Sequence, residues 1–460
     1  MKNFLNVYNP YDNKVISRLK CDNLESINQK LNKLKKHNWS NDKKQKFFKK
    51  VKENLNYQKI DLAKLIVSEV GVSFKDAIYE VERSILCTEI CFKIINKIDK
   101  NFHSKFLIKK KNDPKIKIIE EPFNSLFAIT PFNLPLVLSI HKIFPAVIAD
   151  VPVVFKPSEK TPLSSIKMIK ILIDCGLDKN FIKLIITNNP KKISKYIIEN
   201  FDVDCLSFTG SSKIGMQLNK YLVNSKNSLK KYVPELGGCS SLIICEDADL
   251  KKAVNLAIDG CLKYSGQRCT SVRRIIVDNK IANNFLNKLK KEVEKINFGN
   301  PANKSNIIGT LIDKKALKIV KKRIDRSINS GSKLIYGNFI KDNCLSPTIL
   351  DNVKINMDIV SKETFGPICA IIRSKNINHA IKLANNTKYQ MACGVVTKKE
   401  KFISKITNQI KVGQISVNGA PGYRNESAPF GGFGESGNGE KEGIYLATKS
   451  LKNIRVVYKH

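Results

Sequence analysis

Cys205-Leu206-Ser207-Phe208-Thr209-Gly210-Ser211-Ser212-Lys213-Ile214-Gly215 reads as an apolar strand that breaks at a Gly-Ser turn and opens a helix over 212–223. Upstream, Val151 to Phe155 and Leu184-Ile185-Ile186 read as strands, with helices over 163–175 and 191–199 between and after them. Strands that alternate with helices in this way build a parallel, doubly wound sheet. A second block runs from 236 to 437 and opens with the strand Ser241 to Cys245, a helix over 249–263, the strand Val272 to Val277 and a helix over 281–294. Residues from about 25 to 100 carry helical periodicity, as in Ile60 to Val70 and Ala77 to Lys97. Phe106-Leu107-Ile108 and Ile116 to Ile119 flank the turn Asn112-Asp113-Pro114, a hairpin signal, and Ile454 to Val457 is a β-type tail. The expected fold class is α/β: two doubly wound α/β domains and a small β element.

Composition narrows the class. The chain has 460 residues, too many for one simple core. Hydrophobic residues at 42% and charged residues at 26% describe an ordinary soluble protein. No apolar run approaches the roughly 20 residues that span a bilayer, so no membrane partner is expected. The start, Met1 to Val7, lacks a signal peptide's apolar core, and a cytoplasmic location is the expectation. Twelve cysteines without CxxC pairs or regular spacing read as free thiols in a reducing compartment. The net charge of +39 comes from lysines spread along the whole chain beside Asn and Ile. Runs such as Lys43 to Lys50 and Lys109 to Lys111 read as solvated faces. Without an RNP-type aromatic motif or zinc-finger spacing, specific nucleic-acid binding is not expected, only weak, salt-sensitive adhesion to polyanions. No metal site is expected.

Several short stretches carry chemistry. In Tyr264-Ser265-Gly266-Gln267-Arg268-Cys269-Thr270, Cys269 sits among small, polar and basic residues rather than in apolar surroundings, as a reactive thiol requires. Thr209, Gly210, Ser211 and Gly215 lie where free N–H groups and a helix dipole favour a pyrophosphate, although Gly-Ser turns before helices are common without one. Lys156 and Glu159 end the preceding strand, where such sheets bind ligands; a plain surface loop is the alternative. Asn133, an amide between Pro131 and Pro135 in an apolar run, is either a structural side chain or a donor held for a ligand. Glu235 precedes Gly237-Gly238 and suits a general base if burial raises its pKa. Glu363 and Phe365 fall in a turn and mean little alone.

Together, Asn133, Lys156 to Glu159, Gly210-Ser211, Glu235 to Gly238, Gly266 to Thr270, Glu363 to Pro367 and Pro429 to Gly432 resemble, in order and spacing, the NAD(P)-dependent aldehyde dehydrogenase superfamily. The resemblance covers nearly the whole chain. It implies a dinucleotide-binding domain over 1–103 and 122–235 and a catalytic domain over 236–437. Residues 104–121 and 438–460 would form an oligomerisation hairpin and C-terminal strand of a homodimer or homotetramer. It further implies Cys269 as the nucleophile, Asn133 and the Cys269 N–H as oxyanion donors, and Glu235 as the base that activates water. One such donor is typically worth roughly 3 kcal/mol in the transition state. Lys156, Glu159, Thr209, Gly210, Ser211, Gly215, Glu363 and Phe365 match cofactor positions. NAD is the expected cofactor, because Glu159 would repel a 2′-phosphate, with NADP the alternative.

Glu235 also favours hydrolysis to a free acid, since acylating members typically lack a glutamate there. Three departures stand out: Phe132 for a frequent tryptophan, Cys239-Ser240-Ser241 for Lys-x-Pro, and Gly434 for a frequent lysine. The segment Gly422 to Gly432 is similar to the branch containing phosphonoacetaldehyde, lactaldehyde and non-phosphorylating glyceraldehyde-3-phosphate dehydrogenases. The expected substrate is therefore a small anionic or hydroxylated aldehyde. Arg424 would clamp its tail or lie on the surface, Arg268 sits beside the nucleophile, and His141 lines the entrance or packs on a helix. The competing readings are a semialdehyde dehydrogenase of another branch and a non-enzymatic polyanion-binding protein.

Overall fold

A computed structural model describes residues 4–97, 114–225 and 230–460. Two antiparallel strands, Phe4–Tyr8 and Val15–Lys20, precede the helices Leu24–Asn32, Asn41–Tyr57, Lys59–Val70 and Phe74–Ile95. The lysine run at 43–50 is not wholly a solvated face. Phe47 and Phe48 turn inward with Lys44, whose ammonium donates to the Ile148 carbonyl at 2.9 Å and pairs with Asp150 at 2.7 Å.

The first sheet has five parallel strands in the order Ile182–Leu184, Val153–Lys156, Leu126–Ile129, Cys205–Thr209, Lys231–Glu235. Most of these strands are buried on both faces, so each reads as a short continuous apolar run. The strand expected at Leu184–Ile186 lies two residues earlier, although Ile185 and Ile186 are buried below its end. The chain winds outward from Leu126–Ile129 in one direction and then resumes on its other side. This reversal opens a crevice beyond the carboxyl ends of Leu126–Ile129 and Cys205–Thr209.

Two buried glutamates join the amino-terminal helices to this sheet. Helices Val137–Ala149 and Leu163–Asp174 have no side-chain cap of their own. Glu80 accepts from the N–H groups of Leu136 and Val137 at 2.8 and 3.1 Å, and Glu69 from those of Leu163 and Ser164 at 2.7 and 2.8 Å. Each carboxylate thus satisfies orphan donors at a helix start from a different segment of chain.

The second sheet has seven strands in the order Lys333–Tyr336, Thr348–Asp351, Ile368–Ser374, Val272–Asp278, Ser240–Ile244, Ala392–Val396, Gln414–Val417, and only the Lys333–Tyr336 edge is antiparallel. Lys115–Pro122 pairs antiparallel with the tail Lys452–Lys459. The other half of the expected hairpin, Phe106 to Asp113, lies outside the described residues. Among the described residues, no helix is long and apolar enough to cross a membrane.

Removing the Glu69 carboxylate leaves buried donors unpaired, at about 1–3 kcal/mol per group. Glu69→Ala is therefore expected to lower the urea-unfolding free energy by about 2–4 kcal/mol, while Glu82→Ala, on the exposed side of the next helix, changes it by less than about 0.5 kcal/mol.

Candidate active site

The crevice gathers loops from both sheets. Thr130 to Asn133 follow the first sheet's central strand, Lys156 to Glu159 its neighbour, and Thr209 to Ser211 the strand across the reversal. With Cys269, Glu363 and Phe365 from the second block they line a cleft of about 400 Å³. Ser211 caps the helix Ser212–Val223 by accepting from the Ile214 N–H, which leaves that helix's first N–H groups facing the cleft. Gly210 and Gly215 allow close approach: a Cβ on Gly210 would meet the Phe208 ring, and one on Gly215 the Leu236 side chain. Thr209 Oγ1 is buried without a hydrogen-bond partner in the protein. Buried Lys156 donates to the Pro157 carbonyl at 3.1 Å and stands 3.8 Å from Glu159, whose side chain is partly exposed. Burial lowers the Lys156 pKa against the pull of Glu159. Glu363 accepts from the Gly238 N–H at 2.7 Å, and Phe365 meets Phe132 edge to face at 6.2 Å. An aromatic at 132 thus forms a wall with Phe365.

Cys269 is delivered by an unusual turn. Tyr264, Ser265 and Gly266 take φ values of 57°, 53° and 71°, three left-handed residues in a row. A non-glycine residue so placed costs roughly 1–3 kcal/mol and persists only where its surroundings fix it. Here they do. Asp76 accepts from the Tyr264 N–H at 2.8 Å, Ser265 Oγ from the Gly309 N–H at 3.1 Å, and Gln267 Oε1 from the Ile312 N–H at 2.9 Å. Arg273 donates to the carbonyls of Gly266 and Arg268 at 2.6 and 3.0 Å. Asn133 Nδ2 donates to the Gln267 carbonyl at 2.7 Å, leaving its second N–H for another acceptor. Asp76 and Arg273 escape sequence reading, because an acid in a helix's first turn and an arginine in a strand look ordinary.

Twelve cysteines are free, and only Cys21 and Cys269 are not buried. The Cys269 thiol is pushed up to about 12, first by burial and then by Glu363 and Glu235, against Arg424 and Arg268. Glu235 is buried, and neither carboxylate oxygen has a hydrogen-bond partner in the protein. Burial and then Glu442 raise its pKa well above the ordinary value, opposed by Arg424, Lys142 and Lys441. Gly431, at φ 154°, makes room for it: a Cβ there would sit 2.6 Å from Glu235 Oε1. Behind it lies a buried pair with no sequence signal, Lys142 and Glu442 at 2.7 Å, with Lys142 also donating to Ser207 Oγ at 2.7 Å.

Arg424 and His141 meet. Arg424 is half-buried with its side chain turned inward, its guanidinium 4.1 Å above the Phe430 ring, which packs with Met391, Ala392 and Cys269. Buried His141 approaches the same carboxylate as Arg424, that of Glu426. Arg83 completes this cluster from a helix 343 residues away in sequence; no motif marks Arg83, and Glu426 was read only as part of the Gly422 to Gly432 segment, with no role of its own. Arg268 donates to the Asp259 carbonyl at 2.8 Å and keeps Nε unpartnered.

A parallel sheet whose switch-point crevice carries a half-shielded cysteine defines an α/β protein of the dinucleotide-binding class. The chain belongs to the aldehyde dehydrogenase family, whose model matches residues 2–456. It is 33% identical to 3-sulfolactaldehyde dehydrogenase of Priestia aryabhattai over 397 residues, 86% of this chain and 82% of that protein. It is 32% identical to lactaldehyde dehydrogenase of Methanococcus aeolicus, over 98% of this chain and 96% of that one. A crystal structure of glyceraldehyde-3-phosphate dehydrogenase GapN from Methanocaldococcus jannaschii, complexed with NADP, superposes with a TM-score of 0.91 at 31% identity, over 98% of each chain.

The turn's strain makes a direct forecast. A Cβ at Gly266 would collide with the Gly366 carbonyl oxygen at a φ that disfavours side chains. Gly266→Ala is expected to lower kcat at least about 100-fold and to change the alkylation rate of Cys269. Gly419→Ala, where the nearest atom would be 3.5 Å from the new carbon, serves as the neutral control.

Proposed function

We propose that this chain is an NAD(P)-dependent aldehyde dehydrogenase that oxidises a small 2-hydroxyaldehyde, with or without an anionic tail, to its carboxylic acid. The observation that carries the reading is Cys269, with Asn133 donating two residues upstream, in one cleft with Lys156, Glu159, Ser211, Glu363 and Phe365. The substrates named for the relatives above share a hydroxyl beside the aldehyde and differ at the third carbon.

In the proposed reaction the Cys269 thiol releases its proton to solvent, the thiolate attacks the aldehyde carbonyl, and the developing oxyanion accepts from the free N–H of Asn133 and the Cys269 backbone N–H. NAD(P)+, when bound, takes the hydride that leaves the thiohemiacetal carbon. Lys156 and Glu159 would hold its adenosine ribose, the start of helix Ser212–Val223 its pyrophosphate, and Glu363 with Phe365 the nicotinamide end. Thr209 and Gly215 support that helix start. Glu235 then removes a proton from water, which attacks the thioester and frees the acid. Burial raises its pKa above the ordinary carboxyl range, which makes it a stronger base than an exposed glutamate. Lys142 and Glu442 act on its charge in opposite senses, Glu442 raising its pKa and Lys142 lowering it. Arg424, Arg268 and His141 would receive the substrate's tail.

The division into a dinucleotide-binding domain over 1–103 and 122–235, a catalytic domain over 236–437 and an oligomerisation element over 104–121 and 438–460 belongs to the same proposal. The exposed apolar side chains of Ile454, Val456 and Tyr458 support pairing of that element with a second copy, as homodimer or homotetramer. Twelve free thiols support a reducing, cytoplasmic location.

Following reduced-cofactor absorbance with lactaldehyde, 3-sulfolactaldehyde, glyceraldehyde-3-phosphate and succinate semialdehyde, each with NAD+ and NADP+, tests the reading. Turnover of at least one 2-hydroxyaldehyde, lost in a folded Cys269→Ala variant, is expected; turnover that survives the substitution refutes it. Because the resting group is a thiol with a pKa near 12, its reactive anion grows as pH rises. Iodoacetamide alkylation of Cys269 in cofactor-free enzyme should accelerate about tenfold per unit from about pH 7 to about pH 9, and a plateau in that range contradicts the burial argument.

A further inference from the structure

The buried side-chain cluster around Arg424 already contains an anion. Glu426 is almost wholly buried and accepts from Arg83 Nε at 2.6 Å. Its other oxygen lies 2.8 Å from His141 Nε2 and 3.3 Å from Arg424 Nε. Cys87 Sγ stands 3.5 Å from the same histidine nitrogen, so sulfur, nitrogen and oxygen atoms gather within 4.8 Å, as ligands of a metal would. Two guanidinium groups argue otherwise, because a divalent cation would share its one carboxylate with two fixed positive charges. Against the upward push of burial, His141, Arg83 and Arg424 hold the Glu426 carboxyl far below the ordinary range, so it is ionised. Burial and then Arg424 lower the His141 pKa. The carboxylate is a built-in counter-ion for the arginines.

The same cage keeps donors in reserve. Arg424 Nη2, Arg268 Nε, His141 Nδ1 and Tyr264 Oη are buried with no hydrogen-bond partner in the protein. Such groups cost free energy until something accepts from them. The Arg424 guanidinium lies over the Phe430 ring, against which Cys269 packs, so Arg424 borders the reacting centre, and Arg268 with it eases ionisation of the thiol.

We propose that Glu426 determines specificity by setting the charge that a substrate tail can carry, admitting uncharged or singly charged 2-hydroxyaldehydes and disfavouring a doubly charged phosphate tail. The inference rests on aldehyde oxidation at Cys269 as proposed above. An uncharged hydroxylated tail needs only the spare donors. An anionic tail that reaches this cluster must share Arg83 and Arg424 with a fixed carboxylate, and with little water to screen it that repulsion grows with the tail's charge.

Lactaldehyde, 3-sulfolactaldehyde and glyceraldehyde-3-phosphate carry no charge, one and two at the third carbon. With the wild type, kcat/KM for glyceraldehyde-3-phosphate is expected to be at least about tenfold below the better of the other two. Glu426→Gln keeps the size and an acceptor for Arg83 while removing the charge. It is expected to raise the ratio of kcat/KM for glyceraldehyde-3-phosphate to that for lactaldehyde at least about tenfold. An unchanged or lower ratio overturns the inference. A second arm needs neither turnover nor the variant: at about pH 8, methanesulfonate should protect wild-type Cys269 from alkylation at lower concentration than inorganic phosphate. The reverse order overturns the inference. Wild type that oxidises no aldehyde defeats the proposed function instead, and the protection order still decides the role of Glu426.

Discussion

Three consecutive left-handed residues, Tyr264 to Gly266, are the constraint on which this site depends. A chain in that conformation turns sharply enough to bring Cys269 over the crevice of a sheet to which it does not belong. The conformation is held from several sides. Asp76 comes from a helix far upstream, Gly309 and Ile312 from a loop beyond the next helix, Arg273 from the following strand and Asn133 from the first sheet. Each bond is ordinary. Their convergence makes the turn rigid, so the position of Cys269 is set by the packing of the whole chain. Gly238 adds a steric limit, because a Cβ there would strike the Cys269 carbonyl oxygen.

Buried or half-buried carboxylates recur as the means of joining distant segments. Glu69 and Glu80 complete helix starts, Glu363 is fixed by the Gly238 N–H, and Glu426 gathers Arg83, His141 and Arg424. Burying a carboxylate is costly unless it is paired or hydrogen-bonded, and these four are. Glu235 is the exception, buried with no hydrogen-bond partner in the protein. Destabilisation of its charged form makes it a stronger proton acceptor than an exposed glutamate, which suits the base proposed for it. The surplus of positive charge lies elsewhere, on lysines spread along the chain.

Much of the fold is legible in the sequence for a simple reason: strands buried on both faces are short apolar runs, and helices between them keep a 3.6-residue period. Cys205–Thr209, Ser240–Ile244 and Val272–Asp278 fall within a residue or so of expectation. Leu184–Ile186 misleads because Ile185 and Ile186 are buried just past a strand that has already ended. The Phe4–Tyr8 and Val15–Lys20 pair is too short to announce itself, with only Leu5 and Val7 turned inward on its first strand. Cys269 and Asn133 stand out in their own short segments and Glu363 only through the family resemblance, and all three line the cleft. Asp76, Arg83, Lys142, Glu426 and Glu442 do not stand out, since each looks like a surface charge until a partner hundreds of residues away is brought against it. The reading of Lys43 to Lys50 as a solvated face failed for the same reason at Lys44.

The central claim is that the Cys269 sulfur becomes bonded to the carbon of the aldehyde. Peptide mass spectrometry of a Glu235→Gln enzyme quenched in acid after mixing with lactaldehyde and NAD+ measures this directly. The expected result is an acyl group on the peptide containing Cys269, present only when aldehyde and NAD+ are both added. Formation of NADH with Cys269 unmodified, or with the acyl group on another residue, would contradict it.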